Sequence, residues 1–115
     1  MRQRDEGQLK DLTDLNRIIH EPARLVILAL LHPVDGADFT FLLRETGLTR
    51  GNLSSHLTKL EESEYVTVIK GYDGKIPRTT YSLTDEGRRA FLTYCEELKR
   101  LADLLPGDEG SRRNG

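Results

Sequence analysis

The side chains with the most chemistry to offer lie on one face of a short segment, Thr49–Leu60. Leu53, Leu57 and Leu60 recur at steps of four and three, the spacing of a buried stripe on an α-helix. At about 100° per residue, small, polar and cationic residues fall on the opposite side. They are Gly51, Asn52, Ser55, Thr58 and Lys59. This face can form hydrogen bonds and carries little bulk.

The residues before this segment predict a second helix and a tight turn. The stretch Thr40–Thr46 has inward-facing apolar residues and ends at Gly47, whose missing Cβ permits a left-handed closing conformation. Thr49 is placed to cap the next helix, predicted at about 50–63, by accepting a backbone N–H bond. A helix, a three-residue turn and a second helix form a helix-turn-helix.

The residues after Glu64 predict a β-hairpin, or wing, at about 65–83. Tyr65–Ile69 and Arg78–Leu83 are rich in β-branched and aromatic residues. Asp73-Gly74 between them can take the positive φ angles of a tight turn. Three cations lie on or beside the loop: Lys70, Lys75 and Arg78. A polar helix followed by a basic ribbon is suited to a DNA major groove.

Further helices are predicted on both sides of this unit. Pro22–Leu31 is apolar nearly all round and predicts the most buried helix, followed by a very short strand near Ala37–Phe39. An amphipathic N-terminal helix is predicted from Leu9, Leu12, Leu15, Ile18 and Ile19. Thr84 should cap a C-terminal helix at about 85–105, and disorder is predicted for residues 1–7 and 106–115.

The C-terminal helix carries an apolar seam at steps of three and four, typical of the contact line between two packed helices. The seam consists of Phe91, Tyr94, Leu98, Leu101 and Leu105. The fold prediction is one α+β domain: a winged helix-turn-helix with a three-helix core, a two-stranded β wing, an N-terminal helix and a long C-terminal dimerisation helix. Residues 8–105 would form it.

Composition limits the functional classes. The 115 residues carry a net charge of −2 and a sequence pI near 5.9, which weighs against a nucleic-acid binder. Residues 40–83 alone are positive, with six basic and five acidic groups. Cys95 is the single cysteine and the three histidines are scattered, so no metal, cofactor or catalytic site is expected. No apolar run suits a membrane span or signal peptide, and a cytoplasmic location is expected.

Four parts of the chain share an order and spacing with a known family: Arg24–Leu28, Gly47–Leu57, Leu60–Glu62 with Tyr65-Val66, and Leu83–Arg88. In this arrangement the chain resembles the winged-helix transcriptional regulators of the MarR and ArsR superfamily. The resemblance covers roughly residues 20–95. It implies sequence-specific binding of double-stranded DNA by a homodimer, with helices at the chain ends forming the interface. Neither the metal-sensing cysteine pairs of some members nor room for an effector pocket is evident, and an effector stays unknown.

Residue roles follow from the pattern and the resemblance together. Asn52 and Ser55 are predicted to contact base edges, Lys59 a phosphate or guanine, and Thr49 and Arg50 the DNA backbone. Flanking or wing contacts are predicted for Ser54, His56, Arg44, Lys70, Lys75 and Arg78. The dimer interface is predicted to comprise Leu9, Leu12, Leu15, Ile19, Phe91, Tyr94, Leu98, Leu101 and Leu105.

Several alternatives stay open. The polar face of the helix could be merely solvated, the wing lysines could only keep a strand edge soluble, and His56 could pack against a neighbour instead of touching DNA. A protein-interaction module built on the same scaffold is supported by the net charge of −2. Binding of RNA or a single strand is disfavoured because no exposed aromatic row is evident.

Overall fold

This computed structural model describes residues 15–107, which fold into four helices and a three-stranded antiparallel sheet. The helices are α1 (Pro22–Leu31), α2 (Phe39–Thr46), α3 (Arg50–Glu62) and α4 (Asp85–Leu104). The strands are β1 (Ala37–Asp38), β2 (Val66–Asp73) and β3 (Ile76–Leu83). The winged helix-turn-helix fold predicted from the sequence is confirmed.

The core is built from one face of each helix and the base of the wing. Its fully buried side chains are Ile19, Ile27, Leu28, Leu31, Leu42, Leu53, Leu57, Leu60 and Val66. Although α1 is apolar nearly all round, it is not buried all round, because Val26 is 45% exposed. Leu53, Leu57 and Leu60 are among the buried side chains, so the stripe predicted on α3 is the face that attaches this helix to the domain.

The sheet has the strand order β1-β3-β2. The short strand expected near Ala37–Phe39 is present at Ala37–Asp38, and it pairs with Tyr81 and Thr80 of β3. It adds a third strand to the predicted two-stranded wing. At the hairpin tip, Gly74 has a φ of 67°, whereas Asp73 is the last paired residue of β2 and has no positive φ. The loop is thus Gly74-Lys75, with glycine at the position that needs it.

The predicted N-terminal helix does not extend through Leu15–Ile19, where the chain makes a turn. The side-chain oxygen of Asn16 accepts hydrogen bonds from the backbone N–H groups of Ile18 and Ile19, at 2.9 and 3.1 Å. This local bonding competes with the helical pattern, a common use of asparagine. The described residues do not include Leu9, Leu12, residues 1–7 or the residues after Gly107, so the predictions for these positions lie outside them.

A close backbone approach joins the end of α3 to the start of α4. The Tyr65 N–H donates to the Leu60 carbonyl and the Glu64 N–H to the Glu61 carbonyl, with Glu64 left-handed at a φ of 64°. These are the two bonds of a Schellman motif. The Tyr65 carbonyl then accepts from the Thr84 N–H at 3.0 Å. It also lies against Gly87, where an added Cβ would come 2.1 Å from the Tyr65 oxygen.

We predict that Gly87→Ala destabilises the domain by at least about 1–3 kcal/mol, because the clashing atoms belong to the backbone and cannot move as a side chain would. Gly51→Ala is the control, since nothing lies within 4 Å of its added Cβ and the residue is helical. Alanine there should raise stability by roughly 0.5–1 kcal/mol. Urea unfolding of both variants measures the two effects, and equal stabilities would contradict this packing.

Candidate nucleic-acid interface

The outer face of α3 carries the polar residues predicted for DNA contact. Leu53, Leu57 and Leu60 are 0–2% exposed, which directs the other side of the helix into solvent. From position 49 to position 59, the exposed residues are Thr49, Arg50, Gly51, Asn52, Ser54, Ser55, Thr58 and Lys59. These side chains can pair with base edges or phosphates, and no apolar group interrupts them.

The helix-turn-helix geometry orients the start of α3. Gly47 ends α2 in the left-handed conformation with a φ of 70°, and its N–H donates to the Leu43 carbonyl. Thr49 caps α3, its hydroxyl accepting from the Asn52 N–H at 3.1 Å. Since the cap satisfies only one of the four free N–H groups of a helix start, the positive end of α3 remains available to an anion.

His56 differs from the other predicted contacts because it packs against α1. Its Nδ1 lies 3.3 Å from Nη1 of Arg24, and its Nε2 lies 3.7 Å from Oε2 of Glu21. The His56 side chain is 21% exposed. Arg24 also donates through Nε to the Ile18 carbonyl. His56 therefore links α3 to α1 and to the turn before it, the packing alternative considered from the sequence.

The carboxylate of Glu21 is held in its charged form. Burial raises the pKa of Glu21, but hydrogen bonds from the backbone N–H groups of Arg24 and Ala23, aided by the charges of His56 and Arg24, bring the pKa below its ordinary value. Glu21 is also the N-cap of α1, accepting from the Arg24 N–H at 3.0 Å. Near neutral pH this end of α1 therefore presents an anion to His56.

The wing cations divide into two kinds. Arg78 forms two ion pairs: Nη1 lies 3.1 Å from Asp38 Oδ2, and Nη2 lies 2.8 Å from Asp73 Oδ2. Lys70 and Lys75 are exposed and take part in none of the ion pairs found among residues 15–107. Whether Arg78 contacts DNA stays a prediction; its guanidinium is half exposed and already paired with two acids.

Arg78 also ties the wing to the helix-turn-helix. Asp38 caps α2 by accepting from the Phe41 N–H at 2.8 Å, while its other oxygen binds Arg78. Asp73, at the end of β2, binds the same guanidinium. The side chains of β1, β2 and β3 thus meet at one cation, which we call the Arg78 clamp (Asp38, Asp73 and Arg78).

Two further arginines contact aromatic rings near the helix-turn-helix. The guanidinium carbon of Arg44 lies 5.9 Å from the ring centre of Phe41, and Nε of Arg44 lies 3.7 Å from a Glu45 carboxylate oxygen. Arg50, at the start of α3, lies at the same distance, 5.9 Å, from the ring centre of Phe39. Both arginines are exposed, so these weak contacts orient them without removing them from solvent.

Four residues predicted for a dimer interface are buried within the single chain. Leu15, Ile19, Phe91 and Tyr94 are 8%, 0%, 7% and 2% exposed. The seam on α4 is therefore split, because its first two members pack on the protomer's own core. Apolar side chains farther along remain partly or largely accessible: Leu98, Leu101, Leu104 and Leu105, with Leu92 on the same helix.

Sequence reasoning missed the residues that hold others in place. Asp38 and Glu21 both stand directly before a helix, where an acid can be read as a cap. Their second roles, toward Arg78 and His56, join residues 40 and 35 positions apart. Such long-range pairing has no local signal in a single sequence.

The comparisons with known proteins identify the family and the fold. A family model described as a winged helix DNA-binding domain matches residues 23–102, and the chain belongs to this family. An uncharacterized protein of Methanocaldococcus jannaschii is 36% identical over 86 residues, covering 75% of this chain and 94% of that protein. Family and fold point to a DNA-binding regulator, a class that is typically non-enzymatic.

Solved structures define the class further. A transcriptional regulator homologue from Pyrococcus horikoshii OT3 is 32% identical, with a TM-score of 0.76 over 84% of this chain and 95% of that one. A MarR-family regulator from Porphyromonas gingivalis W83 shares the fold, at 20% identity and a TM-score of 0.61 over 75% and 82%. The chain is a winged-helix transcriptional regulator.

Two negative findings concern residues 15–107 only. No helix in this part is both long and apolar enough to span a bilayer. No group of three or more potential metal ligands is found there either.

We predict that Asp38 and Arg78 are energetically coupled in the folded chain. In a double-mutant cycle, Asp38→Asn, which keeps the capping oxygen, and Arg78→Met should show a coupling of about 0.2–1 kcal/mol in urea unfolding. The matched cycle of Asp38→Asn with Lys75→Met should show none. Equal coupling in the two cycles would contradict the Arg78 clamp.

Proposed function

We propose that this regulator acts as a homodimer that binds a pseudo-palindromic operator in double-stranded DNA and represses transcription. The observation that carries the proposal is the outer face of α3, where Asn52, Ser55 and Lys59 are all exposed beside a capped helix start. A repressor of this kind occupies a promoter and excludes the polymerase.

The side chains of α3 suit a division of labour on DNA. Asn52 and Ser55, one turn apart, carry amide and hydroxyl groups that recognise base edges in a major groove. Lys59, one turn farther on, supplies a charge to a phosphate or a guanine. Thr49 and Arg50 lie at the helix start, where free N–H groups and the helix dipole favour a backbone phosphate.

The wing is proposed to contact DNA beside the groove that α3 occupies. Lys70 and Lys75 are the wing cations that no acid within residues 15–107 neutralises, and they are assigned to phosphates. Arg78 is assigned to the orientation of the wing through the Arg78 clamp. Each neutralised phosphate contributes roughly one unit to the slope of log affinity against log salt concentration. The assignment therefore predicts a contribution to this slope from Lys70 and Lys75 and none from Arg78.

Dimerisation is proposed to use the exposed part of the seam on α4. Leu104 and Leu105 are 56% and 59% exposed, and Leu98 and Leu101 precede them at the same helical spacing. Apolar side chains repeated along a helix of 20 residues favour a second helix as partner. Two recognition helices about 34 Å apart would then enter successive major grooves.

A protein-interaction module remains the second candidate, supported by an acidic cleft at the far end of α3. Glu61, Glu64, Asp85 and Glu86 line this cleft, which would repel a DNA backbone. Weak, salt-sensitive binding to random duplex at low salt separates the candidates. A DNA-binding regulator should show such binding, and a module that binds only proteins should not.

We predict different effects of α3 and wing substitutions in gel-shift titrations. Asn52→Ala and Ser55→Ala should each change affinity by roughly 1–3 kcal/mol at particular base pairs. Lys75→Ala should weaken binding to every duplex and reduce the salt slope by about one. Lys99→Ala and Thr93→Ala are the matched controls, since both residues are exposed on α4, outside the proposed DNA interface. Unchanged operator affinity in all three test variants would refute the proposed interface.

We predict that replacing Leu101 and Leu105 together by Glu converts a dimer into a monomer. The paired charges would face each other across the proposed helix contact, where desolvation and repulsion oppose association. Light scattering gives the mass, and thermal unfolding verifies that the protomer remains folded. Val34→Glu, at an apolar position 38% exposed outside α4, should remain dimeric. A monomeric wild-type chain, or a double variant with unchanged mass, would argue against this interface.

A further inference from the structure

Two histidines, His32 and His56, each place an imidazole nitrogen against an arginine. Their Nδ1 atoms lie 3.0 and 3.3 Å from Nη1 of Arg88 and Arg24 respectively. A guanidinium has only donors, so Nδ1 is the unprotonated acceptor in both contacts and each neutral ring carries its proton on Nε2. The first pair joins the end of α1 to α4, and the second joins the start of α1 to α3. The second pair therefore involves the helix that is proposed to read DNA.

The His56 ring lies between two opposite charges at the start of α1. Arg24 contacts Nδ1, whereas Oε2 of Glu21 lies 3.7 Å from Nε2, beyond hydrogen-bond distance. Within residues 15–107, the other charged or titratable groups of α3 and of the segment before α1 form no hydrogen bond or ion pair with this ring. They are Arg17, His20, Arg50, Lys59, Glu61 and Glu62. The charge state of His56 is thus opposed by one cation and favoured by one anion, both on α1.

Protonation of His56 is incompatible with its contact to Arg24. The added proton goes to Nδ1, where the new N–H would face an N–H of the guanidinium and two positive charges would meet. The Glu21 carboxylate attracts the charged ring from the other side, but it does not supply the acceptor that Arg24 loses. Arg24 is also held by the hydrogen bond from its Nε to the Ile18 carbonyl. The ring must therefore move toward Glu21, and the contact between α3 and α1 changes with it.

We propose that His56 is a positioning residue for α3 and that its protonation weakens operator binding, so that the regulator releases DNA as the pH falls below neutral. This inference rests on the proposed function and adds to it control by protons. An imidazole changes its charge between about pH 8 and pH 5. Direct contact between His56 and a phosphate would have the opposite sign, because a cation at the DNA surface strengthens binding as the pH falls.

The carboxylate of Glu21 stays charged over the same pH range. Burial raises the pKa of Glu21, but its backbone hydrogen bonds and the neighbouring cations bring that pKa below its ordinary value. Glu21 therefore acts as a constant anion beside His56, and the imidazole is the group of this cluster that titrates near neutral pH.

The test is a fluorescence titration, at about pH 7.5 and about pH 5.5, of a duplex selected from random DNA by the wild-type chain at the higher pH. The wild-type Kd should rise at least about fivefold on acidification. His56→Gln should bind like the wild-type chain at the higher pH and lose this rise, because its amide oxygen accepts from Arg24 and gains no proton. Glu21→Gln should enlarge the rise, since the amide keeps an oxygen for the cap of α1 but no longer attracts the charged ring.

His32→Gln is the matched control. It removes the other imidazole–guanidinium contact, at the far end of α1, and should leave the pH dependence of the Kd unchanged. Circular dichroism at both pH values separates weakened binding from unfolding. If the wild-type Kd rises only because the chain unfolds, the inference fails.

Nitrogen NMR of the imidazole ring adds a readout that needs no DNA. At the higher pH, neutral His56 should carry its proton on Nε2, and the amide signals of α3 should shift as the ring is protonated. A proton on Nδ1, a Kd that falls on acidification, or equal pH dependence in the wild-type chain and His56→Gln would overturn the inference. If Asn52→Ala still weakens binding at the higher pH in that case, the proposed function survives. If the wild-type chain selects no duplex, both fail together.

Discussion

The burial of one leucine stripe on α3 is the constraint on which the rest of the structure depends. Leu53, Leu57 and Leu60 are almost fully enclosed, and truncating such a residue typically costs about 2–5 kcal/mol. This cost fixes the rotation of α3 about its own axis, because any other rotation would expose the stripe. The polar residues on the opposite side of the helix, including Asn52 and Ser55, are therefore directed outward by the core itself.

The distribution of charge explains how an acidic chain can serve as a DNA regulator. The net charge is −2, yet the acids near the wing are occupied internally, with Asp38 and Asp73 both bound to Arg78. Remaining acids at the far end of α3 and the start of α4 line a separate cleft. Lys59, Lys70 and Lys75 are exposed outside the ion pairs found among residues 15–107 and remain available to phosphates, so a locally cationic surface accompanies the negative net charge.

Local patterns in the sequence were sufficient for most of the fold. The leucine spacing of α3, the cap at Thr49 and the left-handed Gly47 each involve neighbours within a few positions, and the structure has all three. The helix predicted through Leu15–Ile19 was wrong because Asn16 satisfies the backbone N–H groups locally in a turn, which an apolar spacing does not reveal. The pattern of apolar residues carried no information on which surface they would cover.

The same limit explains the outcome at the candidate site. Phe91 and Tyr94 have the spacing of a helix seam, but spacing is identical whether the partner is a second chain or the protomer's own core. Arg78 and His56 looked like free contacts because their partners, Asp38 and Glu21, are distant in sequence. The contacts of the outer face of α3 stay a prediction, since only a complex with DNA tests them.

The most direct test of the central claim is to select bound sequences from random duplex DNA with the wild-type chain and with Asn52→Ser in parallel. We predict that the wild-type chain enriches a pseudo-palindrome, and that the variant changes its preference at one base pair in each half-site, symmetrically. Enrichment of an identical sequence by both chains, or of none by the wild-type chain, would contradict the reading of DNA by the outer face of α3.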